Sequence, residues 1–184
     1  MSSQTKPFLS RIRRYFHAYG GWGTVFRSPL FLLSLTLSLI SYRNWINDHW
    51  SNLAQSILPN LLGFSLGTYA LLFSLMTSRL KRALKAVKND RDVTYLDEIN
   101  ATFFHFIFIQ VIAIIWSFAY QGTLLYDIFR WLANGSASVM MRFFILQCLG
   151  GIIGMTLLLY SITLVVGSAL AIYRLALIVD PAAD

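Results

Sequence analysis

Cysteine is almost missing from this chain: Cys148 is the only one in 184 residues, and it stands within an apolar run. An intrachain disulfide framework and a cysteine-built metal site are thereby excluded, and a lone thiol among apolar neighbours acts as a small hydrophobe. Histidine is scarce as well, at three residues, and no glycine-rich phosphate loop occurs, so no cofactor or metal is expected. Charge is the next shortage. Only 12% of residues are charged and 57% are hydrophobic, whereas soluble domains carry about 25% and 45–50%. Mean hydropathy is +0.60. A soluble domain of this length has too much surface to leave so little of it charged. The bilayer is the solvent that fits.

What charge there is has a sign and a place. Lys and Arg number 15 against 8 Asp and Glu, a net charge of +7. In a membrane protein such an excess gathers on the cytoplasmic side and meets anionic lipid, so nucleic acid is not an expected partner. Charges are absent from 28–42, 51–78, 99–126 and 143–173. A membrane helix needs about 20 apolar residues. These runs predict an all-α integral membrane protein, one domain over 1–184, with four transmembrane helices at 29–46, 57–78, 99–125 and 143–166.

Residues 1–27 match neither a span nor a signal peptide, because the basic stretch before the first apolar run is too long and no small-residue cleavage site follows it. Phe8, Ile12, Tyr15 and Tyr19 recur at i, i+4, i+7 and i+11, while Arg11, Arg13 and Arg14 crowd the other faces. An N-terminal amphipathic helix lying in the membrane interface is expected over 7–20, with Gly20-Gly21 as its stop. Ser28-Pro29 suits the start of span one. Tyr42, Trp45 and Trp50 around Asp48 read as an aromatic belt, and Asn134-Gly135-Ser136 reads as the turn before span four. Gly150-Gly151 marks a potential bend in that long last helix.

Between spans two and three lies a basic cytoplasmic helical hairpin, 79–98. Arg79, Lys81, Arg82, Lys85, Lys88 and Arg91 crowd it, and Leu80, Leu84 and Val87 keep a helical spacing. The helix of span two is therefore expected to run on to Asn89-Asp90. Thr94, three residues before Asp97, predicts a capping-box start for span three. Twelve basic residues fall on the side of the hairpin and three on the other. The expected protein is multi-pass, in the cell membrane (the inner membrane of a Gram-negative cell), with both termini cytoplasmic.

Candidate chemistry is thin. Gly63-Phe64-Ser65-Leu66-Gly67 matches G-x-S-x-G, but that elbow needs a strand–turn–helix setting and a nearby histidine base; here it sits inside a helical run. Gly63, Gly67, Ala70 and Ser74 read instead as a small-residue stripe for helix packing, more readily with a helix of the same chain than with another. Gly150, Gly151 and Gly154 mark a second packing surface. Gln147, Ser161 and Ser168, with Gln110, Ser117 and Gln121 in span three, are costly at membrane depth unless hydrogen-bonded or wetted. They either join helices or line an aqueous path in an oligomer. No Asp, Glu, Lys or Arg lies near a midplane, which argues against ion-coupled transport through a titrating carboxylate.

The expected function is non-catalytic: a homo-oligomeric, bacterial-type inner-membrane protein that forms a pore or perturbs the membrane, in the style of small defence and toxin-type effectors. The alternative is a membrane anchor or sensor whose basic hairpin docks a cytosolic partner. The basic residues named above are the candidate contacts to lipid or to that partner.

Overall fold

The computed structural model describes residues 5–133 and 136–176. Among them the chain is helical throughout, and its one strand-like feature is an isolated bridge between Lys88 and Thr94. The helices are α1 (Thr5–Tyr19), α2 (Gly21–Arg27), α3 (Pro29–Ile40), α4 (Tyr42–Ile46), α5 (His49–Leu75), α6 (Ser78–Ala86), α7 (Tyr95–Gln121), α8 (Leu124–Ala133) and α9 (Ala137–Ala176). By length and composition, α5, α7 and α9 are able to cross a membrane; α2 and α3 add a fourth crossing only if the pair, bent by 53°, is one span.

The first expected span is therefore not one helix. α3 has 12 residues, a rise of about 18 Å against a hydrocarbon core of about 30 Å. Ser41 then leaves helical geometry and α4 restarts. The break aims the Trp45 indole N–H at the Ser38 carbonyl, 3.0 Å away.

The long helices alternate in direction. Gln55 meets Gln121, Ser65 meets Gln110 and Tyr69 meets Asn100, so α5 and α7 are antiparallel. α9 is antiparallel to both α3 and α7: Ser34 faces Thr163 while Ser38 faces the Ile152 carbonyl, and His105 faces Tyr160 while Trp116 faces the Gly150 carbonyl. The bundle thus has one end formed by Trp45, Asp48, Gln121 and Gln147, and an opposite end formed by the α6–α7 connection. The core is built in layers. Trp50, Ala54, Leu58, Ala113, Met155 and Leu158 fill the first end, and Val25, Phe103, Phe106, Tyr160 and Leu164 fill the other half.

Two further expectations change. Span two does not run on into the hairpin: Met76 is extended, and Thr77 opens a new helix by accepting a hydrogen bond from the Leu80 N–H at 3.2 Å. The new helix lies back on the bundle because Leu84 buries beside Met76 and Leu96. α9 runs through Gly150-Gly151 unbroken for 40 residues, about 60 Å, about twice the thickness of a hydrocarbon core. α8, which the periodic reading passed over, exposes Leu124, Leu125, Trp131 and Leu132. Gly122 ends α7 in front of it. The expected turn at Asn134-Gly135 lies outside the described residues.

Candidate functional site

α5 is the least covered of the three long helices. Of its most apolar window 11% is buried, against 39% in α7 and 44% in α9. Trp50, Ala54, Leu58 and Ser65 point into the bundle. At 3.6 residues per turn, the opposite face carries Ser56, Asn60, Gly63, Gly67, Ala70 and Ser74, all exposed. A Cβ added at Gly63 or Gly67 meets nothing within 4 Å. Among the described residues the small-residue stripe therefore packs on no helix of its own chain, contrary to the expectation that it would. Asn60 bonds only weakly backward, 3.4 Å to the Ser56 carbonyl. A carboxamide about 16 Å along the helix (1.5 Å per residue) thus faces outward with only this intrahelical bond, an arrangement that is costly in a helix that crosses a bilayer.

The other glycines lie inside. A Cβ at Gly154 would overlap the Trp50 ring, one at Gly151 would sit 2.7 Å from the Trp45 carbonyl oxygen, and one at Gly150 would sit 3.2 Å from the Tyr120 ring. α9 is bare along this face so that three aromatic side chains can lie against it. Beside them a polar cluster closes the bundle end. Asp48, with a left-handed φ of 58°, accepts hydrogen bonds from the Tyr120 hydroxyl at 2.5 Å and the Gln147 amide at 3.0 Å. Gln121 donates to Ser51 at 3.1 Å and Asn52 at 2.8 Å, and accepts from Gln55 at 2.9 Å. Tyr120 and Asp48 passed unnoticed as partners in the sequence because they are 72 residues apart.

The deeper polar residues also make their hydrogen bonds within the chain. Gln110 is fully buried and donates to Ser65 at 3.0 Å, although its carbonyl oxygen has no partner. Ser117, Ser161 and Ser168 are buried and return their hydroxyls to Ile114, Leu157 and Val165 of their own helices. None of these four lies on an exposed face, whereas Gln121 and Gln147, the other two residues of the suggested path, line the cleft at the bundle end. Ser65, the serine of the G-x-S-x-G match, is 6% exposed and lies within α5.

His105 has its own cluster. Its Nδ1 lies 2.6 Å from the Tyr15 hydroxyl and its Nε2 3.0 Å from the Tyr160 hydroxyl, with the Tyr19 ring stacked at 4.1 Å. In a neutral imidazole one nitrogen donates and the other accepts, so the two tyrosines take opposite roles. α1 is thereby pinned to α7, and Tyr15 and Ala18 are buried there. Of the aromatic stripe expected in the interface, Tyr15 and Tyr19 pack on protein. Burial, and then the neighbouring Tyr19, push the Tyr15 hydroxyl well above the usual tyrosine range.

The basic residues divide. Lys88 pairs with Asp92 at 2.7 Å and Arg91 with Glu98 at 3.7 Å. Asn89 holds the loop by accepting from the Arg91 and Val93 N–H groups and donating to Glu98. Arg14 lies 3.5 Å from Asp97. Arg11, Arg13, Arg79, Arg82 and Lys85 are exposed, and Lys81 is half-buried. No group of three or more metal-ligating side chains comes together among the described residues. No family model, curated protein or solved structure matches this chain.

Proposed function

We propose that this chain is a non-catalytic, four-span membrane protein that assembles with copies of itself through the outward face of α5, forming a pore or a perturbation of the bilayer. One observation carries the reading: Gly63, Gly67, Ala70 and Ser74 share a face with Asn60, and among the described residues no helix covers it. Lipid gives helices no hydrophobic reason to associate, so membrane helices join where small side chains allow close approach and polar ones bond across. An outward asparagine gains a partner when the face meets its own copy. Closed rotational symmetry then brings Ser56, Asn60 and Ser74 of every copy around one axis, which supplies the polar lining that Gln110 and Ser161 do not. The axis of such an assembly runs along span two.

In this reading α2–α4 make the first crossing, and the termini and the α6–α7 connection are cytoplasmic. Support comes from the twelve-to-three division of Lys and Arg. The exposed Arg82 and Lys85 on α6 meet anionic headgroups. They also keep alive the second reading, a cytosolic partner at this surface, although α6 folds back on the bundle and does not project as a helical arm.

Solute release from liposomes tests the proposal. Purified protein should release a small dye with a steep dependence on protein density, and Gly67→Leu should lose release while keeping its helical circular dichroism. Absence of release at every density, or full release by Gly67→Leu, contradicts it.

A further inference from the structure

The polar cluster at the Trp45–Asp48 end is the floor of a cleft. A cavity of about 890 Å³ opens between α7, α8 and α9, a size suited to a small amphiphile or the head of a larger one. Its wall runs from Asp48, Tyr120 and Gln147 to Trp116, Leu149 and Ile153. Leu149 and Ile153 are about half exposed, 53% and 50%, so the apolar end opens sideways, toward lipid. Among the described residues Asp48 is the only charged one on the wall. In a chain of net charge +7, the one charge in this cleft is negative. Among the described residues no ion pair includes Asp48.

A carboxylate offers about four acceptor positions, and Tyr120 and Gln147 use two of them. Those two donors also fix the carboxylate's orientation, leaving the remaining lone pairs for a ligand. An ammonium beside a carboxylate in a half-buried site forms the short, charge-assisted type of hydrogen bond. Trp116 and Tyr120 line the same cleft, and such amphipathic rings favour the level at which a glycerol backbone crosses from water to hydrocarbon.

We propose that this cleft binds the head of an ethanolamine phospholipid, with its primary ammonium on Asp48 and its first methylenes along Trp116, Leu149 and Ile153. A choline head carries the same charge but no N–H, and a glycerol head carries no cation. The inference is independent of assembly through α5, which is on the opposite side of that helix from the bundle.

Native mass spectrometry of the full-length protein in mild detergent, titrated with dioleoyl phosphatidylethanolamine, -choline and -glycerol, tests it. A hydrogen bond to a charged group contributes enough for the ethanolamine lipid to bind about tenfold more tightly than either other lipid. Asp48→Asn should bring the three lipids level, and Leu149→Trp, which fills the apolar end, should weaken all of them. Equal binding of the three lipids by the unaltered protein overturns the proposal without reference to any variant. So does a preference retained in Asp48→Asn, or binding of dodecylammonium with no selective binding of the ethanolamine lipid.

Discussion

At the scale of single residues, glycine has two opposite uses in this chain. Gly154 is bare because the Trp50 ring occupies the place of its Cβ, and Trp50 is itself fully buried. Overpacking a filled core costs about 1–3 kcal/mol or more, so Gly154→Leu should lower the thermal midpoint of the monomer in detergent, by several degrees or by failure to fold. Gly67→Leu should leave that midpoint within a degree or two, because nothing lies within 4 Å of the added carbon; a scanning fluorimetry trace of each variant checks the contrast. The sequence shows both as glycines on apolar helices. What it could not show is which side of α5 turns inward, since Trp50, Ala54, Leu58 and Ser65 carry no more apolar signal than the leucines around them. His105 was visible as the only histidine in a span, yet its partners, Tyr15 and Tyr160, come from 90 and 55 residues away. Tyr15→Phe leaves His105 one hydrogen bond short in a buried site, a cost of about 1–3 kcal/mol. It should speed proteolysis of α1 while α5, α7 and α9 stay protected. The pH dependence follows from the same burial: a tyrosine raised in the folded state stabilises docking fully below the ordinary value near 10 and loses that contribution as pH rises further. Release of α1 in alkali, followed by its protease sensitivity, should therefore begin above pH about 10.

At the scale of elements, caps and breaks set what periodicity alone blurred. Thr94 accepts from the Asp97 N–H at 3.1 Å, which is the helix start read from Thr94 and Asp97 in sequence. Thr77 makes the matching contact for α6, but Leu80, Leu84 and Val87 also continue the spacing of span two, so one helix and two were indistinguishable by pattern. The decision comes from Leu84, whose burial against Leu96 requires the chain to turn. Removing a threonine cap costs about 1 kcal/mol. Thr77→Ala should accordingly raise amide exchange across residues 78–86 severalfold and leave α7 unchanged; equal protection in both proteins would mean the break is not held by that cap. α3 and α4 failed as a single predicted span for a related reason. Ser34 and Ser38 are fully buried against α9, and hydroxyls that look neutral in an apolar run act here as contact points that fix where α3 lies.

At the scale of the whole molecule, the helical, membrane-crossing character was legible from charge-free runs alone, and α5, α7 and α9 occupy three of them. The sidedness argument rests on the same composition. Single cysteines at Asn47 and Asp90, in a Cys148→Ala background, should label from opposite sides in intact cells, with position 90 reached only by permeant reagent. The surface proposed for assembly was not legible, because a stripe of small residues reads alike whether its partner is near in the chain or in another copy. With Gln110, Ser117, Ser161 and Ser168 bonded within the chain, the proposed interface is the outward face of α5. Disulfide crosslinking along α5 in native membranes, one cysteine at a time in the Cys148→Ala background, measures this most directly. Dimers should form at positions 56, 60, 63, 67 and 74 and not at the inward positions 58 and 65. Monomer at every α5 position, or crosslinking that peaks instead around Gly154 and Ser161 of α9, would contradict the account.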